Sequence, residues 1–424
     1  MRGAGRSASE AGLAGGGSVD EGLTSPYTGL FVSIGAPDGQ PQDPDVALWA
    51  GELAPAGPRE EPTAVGGAGW SADEARDACL GEAIERFQTY PLRSDRVVEA
   101  GFRDWPLPDR AVPPEAWVLF HREQYALPGF HFRPFQRDTL CRWVACREAG
   151  TGERTWVPEE FAFLFGRSHI ISPSISTGLS CGRGGDSVLL RGLQEVVERD
   201  AIMGAWWGAY PLEEWPEDTV LGALEPELRP RVRRANLRYR FYRVASPWSS
   251  HVTIATVEGH ERSGFLFSAG AACREDRTSS WRKSLLEAIQ GWHYVRWLKA
   301  TRAPEEVRAP RDFIDHALYY SLHPDRLERT VFRRAAAPAH ENGADLCEGF
   351  AAIRTRLGPD RPVLFRLVTP PSIAGAGLDW HVLKVMVPGL QPMHGHHSLP
   401  LLGGRLWAPR GWKEWAETEP HPFP

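Results

Sequence analysis

One helical pattern is written three times in this chain, and it limits the folds the chain can adopt. It reads Leu-Gly-Glu-Ala-Ile-Glu-Arg at Leu80–Arg86 and Leu-Gln-Glu-Val-Val-Glu-Arg at Leu193–Arg199, with a shorter Leu-Leu-Glu-Ala-Ile-Gln at Leu285–Gln290. In each copy a leucine and a branched residue four later (Leu80/Ile84, Leu193/Val197, Leu285/Ile289) make an apolar helical stripe. The polar pairs Glu82/Glu85, Glu195/Glu198 and Glu287/Gln290 stand three apart and share another face. Separations of 113 and 92 residues fit no solenoid period. A fold that buries all three stripes and turns the acids toward one space would suit hard divalent cations, which take oxygen ligands and commonly substrate phosphates. A nucleotide site with magnesium is the first expectation. The alternative is a solvated helix flank at each copy, with ion pairs worth roughly a few tenths of a kcal/mol.

Composition narrows the class. At 424 residues the chain can bury one large core or two moderate ones, and 42% hydrophobic residues with 17 tryptophans describe a well-packed protein. A net charge of −6 gives no reason to expect nucleic acid. No apolar run approaches the roughly 18 residues that span a bilayer, so no membrane is expected. Met1–Glu21 is rich in Gly, Ala and Ser and lacks the apolar segment of a signal peptide, so residues 1–24 read as a disordered leader before one domain over 25–424. The six cysteines (Cys79, Cys141, Cys146, Cys181, Cys273, Cys347) are scattered, with no Cys-x-x-Cys pair. That predicts reduced, mostly buried thiols in a cytoplasmic protein and no structural zinc.

Along the chain, Tyr27–Ile34 reads as a strand followed by a Pro/Gly-rich stretch to about Gly69. Ser71-Ala-Asp-Glu74 predicts a capping box opening the first motif helix. Pro91–Gln124 reads as a long excursion with little regular structure. Cys141–Cys146 and Arg154–Val157 predict a hairpin through Gly150-Thr-Gly152. Asp186 or Ser187 is the expected cap of the second motif helix, which runs through Ala201 toward Trp207. Strands are expected at Tyr239–Val244, Val252–Val257 and Phe265–Ala269, then the third motif helix from Thr278 to Ala300. A helix from Asp345 to a Gly358 cap and strands at Val363–Val368 and Val382–Val387 complete the reading. Strands and helices interleave without a regular βαβ rhythm, which predicts a mixed α+β fold.

The motifs, taken in order, resemble those of the YcaO family, and within it the cyclodehydratase D proteins that install azolines in ribosomal peptides. Ser176-Thr-Gly-Leu-Ser-Cys-Gly182 followed by Leu193–Ala201, ending Glu-Arg-Asp-Ala, is similar to the family's S-N-G-L-A-A-G … E-L-I-E-R-D-A block, with Thr177 where asparagine is common. Ala78–Arg86 resembles S-x-x-x-E-x-x-E-R, and Lys283–Gln290 resembles the E-A-x-Q helix. Val385-Met-Val-Pro-Gly-Leu-Gln-Pro392 looks like the C-terminal strand, and Pro420-His-Pro-Phe-Pro424 resembles the P-x-P-x-P of azoline-forming members. The resemblance covers Tyr27–Pro424.

What it implies is an ATP site unlike a P-loop or a kinase; no G-x-x-x-x-G-K-S/T and no G-x-G-x-x-G before a helix occurs. Glu82, Glu85, Glu195, Glu198 and Glu287 would ligate Mg²⁺. Gln290, Arg86, Arg199, Lys283, Ser176 and Ser180 would face the nucleotide. The implied reaction is ATP-dependent cyclodehydration of Cys, Ser or Thr in a precursor peptide to a thiazoline or oxazoline, through phosphorylation of a hemiorthoamide. Pro420, Pro422 and Pro424 would thread toward the active site, with the Pro424 carboxylate a candidate base or orienter. Two departures stand out: Ala78 takes a serine position, and Ala68 replaces the lysine common in Gly-Lys-Gly. Expected partners are the precursor peptide, a separate leader-binding protein of ubiquitin-activating-like or ocin-ThiF-like type, and a second copy in a homodimer. The alternatives are thioamide or amidine formation on the same ATP chemistry, or a non-catalytic scaffold binding precursor or partner. Met393-His-Gly-His-His397 suggests a metal only weakly and reads as structural or substrate-lining, Asp200 as a helix anchor, and Cys79, Cys181 and Trp206-Trp207 as core.

Overall fold

The computed structural model describes residues 21–25, 29–54, 63–87, 89–92, 94–166, 169–301, 307–336 and 345–424. Most of the expected leader lies outside them. Glu21–Thr24 form a helical turn, and Leu23 is buried in the cluster that holds Leu30 and Phe31.

Fourteen strands form three sheets among the described residues. The expected first strand is β1 (Phe31–Gly35), Tyr27 and Thr28 lying outside the described residues. The Pro/Gly-rich stretch after it holds β2 (Ala47–Leu53) and β3 (Thr63–Gly69), and the three form one antiparallel sheet. The Pro91–Gln124 excursion carries two short strands, β4 (Val97–Ala100) and β5 (Arg110–Ala111). The expected hairpin is β6 (Cys141–Glu148) with β7 (Arg154–Pro158), and β8 (Leu179–Gly182) follows. A second antiparallel sheet contains β9 (Leu212–Trp215), β10 (Leu237–Val244), β11 (Val252–Glu261) and β12 (Gly264–Cys273). The late strands β13 (Leu364–Leu367) and β14 (His381–Met386) complete the large sheet, ordered β5-β7-β6-β13-β14-β8 with β4 also paired to β6. The architecture is mixed α+β, as the irregular rhythm predicts.

The three motif helices span Ala72–Arg86, Gly185–Trp206 and Arg277–Thr301. Ser71 caps the first as expected, accepting from Glu74 N at 3.2 Å, while Glu74 Oε2 accepts from Trp70 N at 2.8 Å. The second begins differently: Gly184 stands at its cap, and the Ser187 hydroxyl donates backward to the Arg183 and Gly184 carbonyls. Helix Phe350–Leu357 starts later than Asp345, because the chain at 345–349 is bound sideways to the start of the third motif helix, Glu348 N donating to Glu275 O. Gly358 ends it with positive φ.

Each stripe enters its own core, and all six of its residues are fully buried. Leu80 and Ile84 pack with Val144, Val157 and Val382 of the large sheet. Leu193 and Val197 join Tyr242, Val252 and Phe267 on one face of the four-stranded sheet. Leu285 and Ile289 join Phe241, Val257 and Leu266 on its other face. Both faces of β11 are covered, so residues 252–259 are buried throughout, Thr253, Thr256 and Glu258 included. At about 1.5–3 kcal/mol per fully buried aliphatic side chain, the stripes fix where each helix lies and hence where its acids point.

The 419–423 segment is bound inward. Trp206 Nε1 donates to Glu419 O at 2.7 Å and Tyr320 Oη to Pro420 O at 2.6 Å. His421 stacks on His316 with ring centres 3.9 Å apart, and its Nε2 bonds His394 O at 2.8 Å. Phe423 is 2% exposed in the same core as Leu193 and Val197. Burial holds the imidazoles neutral, pushing His316 down to about 3, His397 down to about 4, and His394 and His421 well below their ordinary value. Trp206 and Trp207 are core, as expected.

Two predictions follow from this packing. A Cβ at Gly67 would lie 2.2 Å from Ala75 O and 2.4 Å from Cys79 N, so Gly67→Ala is expected to cost roughly 1–3 kcal/mol or more in denaturant unfolding. Gly222→Ala, with nothing within 4 Å, is expected to be neutral or slightly stabilising. The histidines' folded pKa values lie below the unfolded value of 6.5, so the stability they permit is full above pH 6.5 and is lost as pH falls toward about 4 and 3. Between pH 7.5 and pH 5 the histidines lower the melting temperature, while the raised buried acids Glu85, Glu195 and Glu198 act the other way. The checkable outcome is therefore the difference: wild type is expected to lose stability relative to His421→Phe, which removes one buried site of protonation.

Candidate functional site

Acids of the three motif helices come within electrostatic reach of one another. Glu85 of the first helix is within electrostatic reach of Glu195 of the second, and Glu198 of the second is within reach of Glu287 of the third. Gln290 closes the circuit, its Nε2 lying 3.0 Å from where a Gly66 Cβ would stand. Gly66 N in turn donates to Glu82 Oε2 at 2.9 Å.

Two sheets end here, and their open edges hold the carboxylates. β3 and β12 are edge strands, so one side of each carries amides with no strand partner. Besides the Gly66 bond to Glu82, Ala271 N donates to Glu287 Oε2 at 3.4 Å and Cys273 N to Glu198 Oε2 at 2.9 Å. Three cations sit among the acids. Arg86 Nη2 is 3.4 Å from Glu82, Lys283 Nζ is 3.1 Å from Glu287, and Arg199 Nε is 3.7 Å from Glu195 and 3.9 Å from Glu198. Even so the acids are under strain: burial pushes Glu198 up to about 7, Arg199 opposing the rise and Glu287 adding to it. Burial, then the charge of Glu195, raises Glu85 well above the ordinary carboxylate range.

This donor set fits divalent cations with a polyphosphate. The acids are hard oxygen donors whose charge is only partly balanced. The buried Arg86 Nε has no hydrogen-bond partner, leaving a donor for an anion. Among the described residues no three His, Cys, Asp or Glu side chains close around one point. A dispersed set of this kind suits cations that keep substrate oxygens in their coordination shell better than an all-protein cage.

The other expected site residues are placed as follows. Ser176 lies in the loop before β8, its carbonyl accepting from Leu179 N. Ser180 is turned inward, its hydroxyl donating to Val188 O at 3.0 Å. Ala78 packs against Gly67, and Ala68 lies in the apolar core of the third helix. Pro420 and Pro422 are buried and Pro424 is exposed. The tail is linked to the acids through Met393, whose Sδ lies 3.8 Å from Arg199 Nη1 one residue before the carbonyl that binds His421. Asp200 is the anchor expected: fully buried, it accepts from Tyr210 Oη, Trp248 Nε1, Gln391 N and Arg405. Cys79 is core, but Cys181 is only half-buried. The sequence reading omits Arg274, which lies within electrostatic reach of Glu198, and Lys384, which lies within reach of Glu85 and Glu195. No described helix is long and apolar enough to cross a membrane.

Comparison with known proteins agrees with this geometry. Residues 66–391 match the family model of the YcaO cyclodehydratases, described as ATP- and Mg²⁺-binding. A search of curated proteins finds no significant match. Among solved structures, a heterocyclase in complex with substrate and cofactor aligns at a TM-score of 0.72 and 16% identity, over 96% of this chain and 56% of the other. The chain thus spans little more than half of that heterocyclase. YcaO from Methanopyrus kandleri, bound with AMPPCP and Mg²⁺, aligns at 0.56 and 18% identity over 85% and 86% of the two chains. The Escherichia coli microcin synthetase McbBCD complex with pro-MccB17 bound aligns at 0.58 and 14% identity over 92% and 96%. With the family model covering most of its length, the chain belongs to the YcaO family of ATP- and Mg²⁺-binding cyclodehydratases.

Proposed function

We propose that this protein is a peptide cyclodehydratase that uses ATP to convert Cys, Ser or Thr residues of a ribosomal precursor into thiazolines or oxazolines. The observation that carries the reading is the meeting of Glu82, Glu85, Glu195, Glu198 and Glu287 from three helices, with unpaired guanidinium capacity at Arg86 beside them. These acids would hold Mg²⁺, which when bound neutralises the triphosphate. Arg86, Arg199, Lys283 and Gln290 would orient phosphate oxygens, with Ser176 and Ser180 shaping the loop beside them.

The chemistry asks the protein mainly to position and to balance charge. The substrate thiol or hydroxyl would give its proton to a base, for which the Pro424 carboxylate is the candidate, and add to the preceding backbone carbonyl. This forms the ring bond and a hemiorthoamide oxyanion. That oxygen takes the γ-phosphoryl group and then departs as phosphate, and the ring nitrogen gives up its own proton to solvent as the C=N bond forms. Each ring thus costs the peptide one water while ATP becomes ADP. No enzymic nucleophile is needed. Pro420, Pro422 and Pro424 would line the path of the substrate peptide; this is supported by the Met393 contact with Arg199 and the bond from His421 to the neighbouring His394. Proline-rich backbone is already extended and loses little entropy when held.

The precursor leader would be captured by a separate partner protein. Its support is the similarity to a microcin synthetase solved as a multi-subunit complex with its pro-peptide. A cytoplasmic homodimer with that partner is the working assembly.

The reading is tested by phosphate release and peptide mass with precursor, partner and Mg-ATP. The expected result is loss of one water per modified residue, coupled to phosphate release. Glu198→Gln should lower turnover by about 100-fold or more, in keeping with the loss of electrostatic transition-state stabilisation. ATP-dependent sulfur incorporation when sulfide is supplied would favour thioamidation, and partner binding without ATP turnover would favour a scaffold. Removing Pro424 alone, the exposed residue beyond buried Phe423, is expected to abolish ring formation with little effect on Mg-ATP binding, as equilibrium titration with AMPPCP would report.

A further inference from the structure

A single ammonium group lies inside the large sheet beside the acids. Lys384, on β14, is 2% exposed. Its Nζ donates to Ile175 O at 2.6 Å and to Thr177 O at 2.8 Å, two carbonyls of the loop that leads into β8. Among the described residues no carboxylate forms an ion pair with it, yet it attracts both Glu195 and Glu85, acids from two different helices. Burial of an ammonium with no paired carboxylate is costly, and the structure compensates it with two fixed carbonyl dipoles and two nearby negative charges.

The loop it holds touches the site directly. The Gly178 N–H lies close enough to the Glu195 carboxylate to favour its charge, and Gly178 O accepts from Val385 N at 2.7 Å. Gly178 has φ +81°, and a Cβ there would stand 2.0 Å from Val385 O, so the loop is pressed onto β14 without room to shift. Lys384 therefore reaches Glu195 twice, by charge and through the loop backbone. Arg86 and Arg199 are the other cations facing this pair of acids.

We propose that Lys384 is the positioning residue of the acid site: its ammonium clamps the 175–178 loop and balances the Glu85–Glu195 pair, and so sets how tightly those acids take a divalent cation. The inference rests on the nucleotide–metal reading of the site. It goes beyond that reading by assigning a fixed internal counter-ion that touches neither substrate nor cation.

The test is binding of Mn²⁺ with AMPPCP to the full chain, followed by electron paramagnetic resonance, in wild type and in Lys384→Gln, Lys384→Met and Lys384→Arg. Gln keeps an amide donor for the loop but no charge, Met keeps neither, and Arg keeps both. The expected result is a loss of about tenfold or more in Mn²⁺ affinity for Gln and Met, with Arg within about threefold of wild type. Wild-type affinity in folded Gln and Met variants would overturn the assignment and leave the nucleotide–metal reading intact. Absence of Mn²⁺–AMPPCP binding by wild type would overturn both. If the neutral variants do not fold, Arg decides alone: retained affinity supports the counter-ion role, and a tenfold loss overturns it.

Discussion

The repulsion among half-buried carboxylates is the constraint on which the rest of this structure depends. Glu85, Glu195 and Glu198 stand together, with Glu82 and Glu287 beside them, although burial raises the cost of ionising Glu85, Glu195 and Glu198, the last to a pKa of about 7. Such a cluster persists only if the fold holds it from outside. Three independent apolar stripes do this, each seated in a different core, so no helix can withdraw its acids without exposing its own leucine.

Open sheet edges provide the second support. Edge strands usually carry unpaired amides that must be covered. Here β3 and β12 give theirs to Glu82, Glu287 and Glu198, so one contact satisfies the strand and orients the acid. Close packing of glycines on β3 against the first motif helix makes this approach possible. That explains why a stretch with almost no side chains is nonetheless a strand.

Much of the site was legible in the sequence because it is helical. Spacings of three and four residues encode which face is buried and which carries the acids, and the three motif helices follow that code. β2 and β3 are hard to read because their glycines, and the prolines flanking them, signal turns locally, while their pairing and helix contact are long-range. Lys384 was missed for a similar reason: within Val382–Val387 it reads as an outward residue of a strand, yet both faces of β14 are covered. The position of the tail depends on Trp206, His316, Tyr320 and His394, all far from it in sequence. No local pattern encodes that meeting. The helix caps show the opposite case, where Ser71 was legible and Ser187 was not, since only the fold decides whether a hydroxyl accepts from the helix or donates to the preceding loop.

The central claim is that carboxylates from three helices form one metal–nucleotide site. Its most direct test is a crystal soaked with Mn²⁺ and AMPPCP, with the metal located by anomalous scattering. The account predicts manganese between Glu carboxylates of all three motif helices, bridged to the analogue's phosphates, with Arg86 and Arg199 turned toward them. Manganese bound elsewhere, or nucleotide bound with these five acids still held by Gly66, Ala271, Cys273 and the arginines, would contradict it.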